Sequence, residues 1–306
     1  MDALIVGIRF GLYLDLMVLL GIAAFALYGL RGAERVSVLP IAAIIGFGAV
    51  AGVALSVLWF LALAADMGGT ALWPVDWSTL SILLAETSMG PAWIVRIAAL
   101  LLVAAAAPAM RSERRVLPAT ILALIGAGVA VATLAWGGHG TMGEGSVGWL
   151  HLAGDVLHLF ASAVWTGALV ALTLLVLGAR DRARLSLAHR ALAGFSRIGT
   201  IVVAVLVLTG VVNLFSIVDS AGILALPWVA YGQLLIAKLL LFAAMLGLAA
   251  SNRFRLVLRF EAVLGQGDQA AARAALCRSL VTETACAVAI LALVAWFGTL
   301  DPAGQA

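Results

Sequence analysis

Residues 136–171 read WGGHGTMGEGSVGWLHLAGDVLHLFASAVWTGALVA. A glycine-rich turn opens the stretch and a long apolar run follows. About 20 apolar residues are enough to cross the hydrocarbon core of a bilayer as one helix, and this run has the length. His151, Asp155 and His158 interrupt it. Such side chains are costly at membrane depth and by default mark function there. At 100° per residue they fall with Ser162 and Trp165 in one narrow stripe. The stretch also holds His139, so it carries all the histidines of the chain except His189.

Working outward, composition puts the whole chain in the same class. It is 64% hydrophobic and 11% charged, with a mean hydropathy of +1.16, whereas a soluble domain carries about a quarter charged residues. The chain is therefore expected to be an all-α, polytopic integral membrane bundle forming one membrane domain over residues 1–306. Apolar runs of roughly 20 residues predict eight spans, at about 4–30, 38–64, 92–108, 117–136, 149–177, 195–217, 229–250 and 279–298. The first is too long for a cleavable signal and lacks a basic leader, so it is expected to stay. Cys277 and Cys286 exclude a disulfide framework or a four-cysteine metal site and read as small buried apolar side chains. His189, amid Arg184, Arg190 and Arg197, reads as a solvated loop histidine. No nucleotide-binding loop of the G-x-x-x-x-G-K-[ST] type is present, and nothing points to nucleic acid or to an enzyme.

Arginine placement sets the expected orientation. The loops after spans 1, 3, 5 and 7 hold every basic residue except Arg9, Arg96 and Lys238. The opposite loops hold Asp66, Asp76, Glu144 and Asp219 and no Lys or Arg. Cytoplasmic loops carry the positive excess, so both termini and His139 are expected outside. Trp73, Trp77 and the amphipathic run Ser78–Glu86 predict a short outer interfacial helix. On the inner side, Arg253–Arg278 is expected to touch anionic lipid, with a short helix at Ala270–Leu276.

The polar residues inside the spans are Arg9, Asp15, Arg96, His151, Asp155, His158, Asn213, Lys238 and Glu283. Internal ion pairs are one reading of them. Depth suggests another: all but Asp15 and Glu283 fall in the outer half, Asp15 near mid-depth and Glu283 near the inner edge. Asp15 and Glu283 are then stepping stones for an inward-moving cation. Arg96 and Lys238 would hold Asp155 or Asp15 charged when no cation is bound.

His151 and His158 are two turns apart, about 10.5 Å along the axis, so one regular helix cannot offer both to a single ion. Asp155 neighbours each of them, as a ligand or as the group that fixes a histidine tautomer. His139, Met142 and Glu144 in the glycine turn can close over the top. Imidazole, carboxylate and thioether together suit copper more than zinc. The candidate metal set is His139, Glu144, His151, Asp155 and His158. Asp15, Arg96, Trp165, Asn213, Lys238 and Glu283 form the candidate path and support.

These residues also carry a resemblance. His158…Trp165-Thr166-Gly167-Ala168-Leu169 resembles the H-x6-W-x-G-x-L signature of the CopD/PcoD copper-resistance membrane proteins. Phe195-Ser196, Thr209-Gly210…Asn213, Tyr231-Gly232-Gln233-Leu234-Leu235…Lys238 and Asn252-Arg253 are similar to further motifs of that family, densest over residues 191–253. Thr87, Gly90, Trp93 and Arg96, then Gly138-His139, resemble earlier ones. Spans 1 and 2 are similar only in general character. The resemblance implies a copper-binding protein of the bacterial inner membrane, working with a separate periplasmic partner of the CopC type. Inward transport of copper is the first expectation. A copper-presenting docking protein that does not transport is an alternative. A b-type haem cytochrome is another, but no two spans bring histidines to matched depth.

Overall fold

The computed structural model describes residues 2–137, 145–179, 181–217, 226–252 and 269–300. Among them the secondary structure is entirely helical: α1 (Asp2–Tyr28), α2 (Glu34–Ser37), α3 (Ile41–Met67), α4 (Trp77–Glu86), α5 (Met89–Ala106), α6 (Val116–Ala132), α7 (Gly145–Gly178), α8 (Arg182–Ile217), α9 (Ala230–Ser251) and α10 (Gln269–Phe297). Eight of these, all but α2 and α4, are long and apolar enough to cross a membrane. In hydrocarbon a spanning segment must satisfy its own backbone polar groups, and a continuous helix does so. The chain is a multi-pass, all-α membrane protein, as its composition predicts.

Helix ends are set locally. Asp76 caps α4, accepting from the backbone N–H groups of Ser78 and Thr79 and from both hydroxyls. Those bonds pull the Asp76 carboxyl down to about 2. The Arg35 guanidinium donates to Ala26 O and Leu27 O, covering the last carbonyls of α1 at the end where a helix dipole favours a cation. Gly69 closes the turn after α3 at φ +61, a backbone conformation that glycine takes at little cost.

α1 is the central helix and packs against α3, α6, α7 and α10. It divides a first half (α1, α3, α5, α6) from a second (α7–α10). The halves meet most closely where α1 crosses α7. A side chain on Gly21 would run into Ala163 O and the Gly167 backbone, and one on Gly167 into the Gly21 backbone. Small residues let membrane helices approach this closely.

Polar staples bring chain ends and turns together. Arg9 Nη1 donates to Gly298 O at 2.7 Å, tying the start of α1 to the end of α10. At the opposite end Arg190 pairs with Glu34 at 2.6 Å, and Arg273 donates to Ala179 O at 2.8 Å. Slight burial pushes the Glu34 carboxyl up, but the bonds from Arg190 and the Arg31 amide, with both guanidinium charges, outweigh it and hold it below the usual value.

Two local expectations change. His189 is half-buried in α8 and is not in a loop. α8 begins at Arg182, and its 36 residues make it about 54 Å long, well beyond the roughly 30 Å hydrocarbon core. Ala270–Leu276 is helical as expected, but as the first turns of α10.

Candidate functional site

The α7 stripe faces α8, which supplies polar partners to Asp155 and His158. Asn213 Nδ2 donates to Asp155 Oδ1 at 2.6 Å. His151 Nε2 stands 3.7 Å from Asp155 Oδ2. One turn deeper, His158 Nδ1 meets Thr209 Oγ1 at 2.9 Å. The Thr209 hydroxyl has one proton, and it goes to Val205 O at 2.6 Å. The oxygen therefore accepts from His158. Its Nδ1 is the protonated nitrogen, and Nε2 keeps a lone pair available to a ligand. The ring lies beside Gly210, where an added Cβ would come within 3.8 Å of Cε1.

His151 is buried at 6% exposure and its Nε2 has no hydrogen-bond partner. With Asp155 it offers one imidazole nitrogen and one carboxylate oxygen. Among the described residues no three His, Cys, Asp or Glu side chains converge as a metal cluster. His139 and Glu144 lie outside the described residues. The sequence-predicted set thus resolves into a His151–Asp155 pair near the end of α7 and a separate His158 below it.

His158 opens on a cavity of about 410 Å³ between α1 and α7–α10. Its polar lining comes from His158, Ser162, Thr166, Tyr13, Trp165 and Lys238, and the rest is apolar. The Lys238 ammonium lies 5.6 Å over the Phe297 ring. A second cavity, of about 240 Å³, follows toward the arginine-rich end and contains Glu283, Asn252, Ser196 and Thr200. Trp165 lines both cavities. Its ring meets Phe195 edge-on at 5.6 Å, and its indole N–H has no partner. In the second cavity Asn252 Nδ2 donates to Glu283 Oε1.

Two candidate path residues lie elsewhere. Asp15 points into the α1–α3 seam, where a Cβ on Gly52 would sit 2.7 Å from its Oδ2, and it lines neither cavity. Arg96, in the first half, donates to the Thr133 hydroxyl at 2.8 Å and to Thr133 O at 3.1 Å and stands over the Trp59 ring. Arg9 is met by the Tyr13 hydroxyl and Gly298 O. Asp15 meets neither arginine.

Sequence reasoning had Phe195, Ser196, Thr209 and Asn252 only as motif residues of the family resemblance, without a chemical role, and did not single out Thr200. A signal existed for Thr209, which lies one turn from Asn213 as His158 lies one turn from Asp155. An antiparallel pair that matches Asp155 with Asn213 must set His158 near Thr209.

Comparison with known proteins shows the family. Residues 1–149 match the family described as copper resistance protein D-like, N-terminal domain, and residues 189–297 match copper resistance protein D. The first match takes in spans 1 and 2, where sequence reading found no motif. Copper resistance protein D of Pseudomonas syringae pv. tomato is 42% identical over 313 residues, covering 100% of this chain and 99% of the relative. Inner membrane protein YebZ of Escherichia coli (strain K12) is 31% identical over 169 residues, 55% of each chain. No solved structure matches. With full-length similarity of this order, and with the motif residues His158, Trp165, Phe195, Thr209, Asn213, Lys238 and Asn252 converging on one interior, the chain belongs to the copper resistance protein D family.

Proposed function

We propose that this protein takes up copper at the periplasmic face of the bacterial inner membrane and moves it inward. One observation carries the reading. His158, its Nδ1 proton committed to Thr209, lines a cavity two turns along α7 from His151 of the His151–Asp155 pair. Copper is first held by His151 and Asp155, with His139 and Glu144 of the glycine turn as further ligands, and then passes to His158. Asn213 orients Asp155. Lys238 balances the acid when no ion is present and moves aside when one arrives. From His158 the route passes Trp165 into the second cavity. Asp15, aimed at α3, has no part in it. An unpaired ion in the apolar core costs several kcal/mol, so a chain of donors at successive depths is what a passage needs. A separate periplasmic copper-binding protein of the CopC type would deliver the ion.

Metal analysis of the purified protein beside His158→Ala tests the binding step. Loss of stoichiometric copper in the variant is expected, and full retention overturns the assignment. Copper accumulation by proteoliposomes separates transport from a docking role, in which binding persists without uptake.

A further inference from the structure

Glu283 is 2% exposed and lies in the second cavity. The lining contributed by α7, α8 and α9 brings no charged side chain to it; the polar groups there are Ser196, Thr200, Asn252 and the Trp165 indole. On α10 itself Ser279 is the neighbouring hydroxyl. Arg273 is committed to Ala179 O, and Arg197 and Arg278 are exposed. Among the described residues no cation reaches this enclosed carboxylate to offset its lost hydration, which is costly.

Its partner shows the complementary defect. Asn252 is 5% exposed, donates through Nδ2 to Glu283 Oε1, and leaves its Oδ1 without a hydrogen-bond partner. An ionised carboxylate only accepts, so it cannot satisfy that oxygen. A protonated carboxyl can. The amide then donates to one carboxyl oxygen while the acid O–H donates to Oδ1, closing a cyclic pair of bonds. One proton removes both the buried charge and the orphaned acceptor.

We propose that Glu283 and Asn252 form a proton-binding site in the arginine-end cavity, and that the proton held there is the ion whose movement drives the passage of copper. The second half of this proposal rests on the copper reading above; the first half does not. Glu283 is here a proton carrier and not a stepping stone for the metal. The groups that ligate copper are the histidines on the far side of Trp165, and Glu283 is not among them. The sequence has no nucleotide-binding loop, which leaves passive movement or an ion gradient, and a proton gradient is the one this site could use.

Infrared spectroscopy of the copper-free protein in lipid tests the site without reference to metal. A protonated-carboxyl stretching band is expected at neutral pH. Glu283→Gln should remove it and Asn252→Ala should displace it, while His158→Ala should leave it in place. If the wild type lacks the band, or keeps it after Glu283→Gln, the site is overturned. Proteoliposomes loaded with an imposed pH gradient test the coupling. Copper uptake by the wild type should follow the gradient, and Glu283→Gln should lose that dependence while retaining copper at the outer site. Uptake by the wild type that ignores the gradient overturns the coupling. If the wild type takes up no copper at all, the transport reading fails and the coupling fails with it, while the band still decides the proton site.

Discussion

Thr209 gives its proton to Val205 O and accepts from His158, and that bond selects the ring nitrogen that keeps its lone pair. Replacing the hydroxyl by a methyl of similar size removes the acceptor without opening a void. The ring can then turn or change tautomer. Outer partners of metal-binding histidines are typically worth 10–100-fold in affinity, so Thr209→Val is expected to weaken copper binding by about that factor while leaving the fold intact. A titration with a copper-selective competitor measures it, and wild-type affinity in the variant would show that Thr209 does not set the His158 tautomer. At this scale the sequence was half legible. The α7 stripe and Asn213 stand out because polar residues in apolar spans are conspicuous. Thr209, Ser196 and Thr200 do not, because hydroxyl residues satisfy their own helix backbone and are common in spans. Asp15 and Arg96 were conspicuous too. Depth alone did not reveal that they face other helices.

Helices as units were more legible than their ends. Eight apolar runs mark the eight spanning helices, because hydrocarbon leaves a spanning chain few alternatives. The start of α8 was hidden for the same reason. Hydropathy reports where the bilayer ends, but the backbone ladder continues through Arg182–Arg197, residues with good helix propensity. The W-x-G signature also acquires a physical meaning here. Trp165 lines both cavities, and Gly167 is the contact point of α7 with α1. Gly167→Ala sets a methyl against the Gly21 backbone, an overpacking that typically costs about 1–3 kcal/mol. A methyl on Gly247, toward the end of α9, would meet nothing within 4 Å, so Gly247→Ala should be neutral or stabilise by up to about 1 kcal/mol. Unfolding midpoints in detergent should separate the two. Equal midpoints would mean that the α1–α7 crossing is not a close contact.

For the whole molecule, the remaining question is which end faces out, and the fold sharpens it. The Arg190–Glu34 pair, the Arg35 cap of α1 and the Arg273–Ala179 bond gather at one end of the bundle. At the other end are Asp66, the capped helix α4 with Trp77 exposed, and His151. From a bias this one-sided we propose that the arginine end faces the cytoplasm, which would leave His151 and Asp155 toward the periplasm and Glu283 toward the cytoplasm. The direction of any copper movement depends on this assignment: if the bundle were inverted, the His151 end would collect copper from the cytoplasm and the same sequence of sites would read as export. Single cysteines in a background lacking Cys277 and Cys286 decide it. Thr70→Cys, exposed in the turn between α3 and α4, should react with a membrane-impermeant maleimide in intact spheroplasts. Glu113→Cys, exposed between α5 and α6, should react only after lysis. The reverse pattern would overturn the orientation and with it the inward reading.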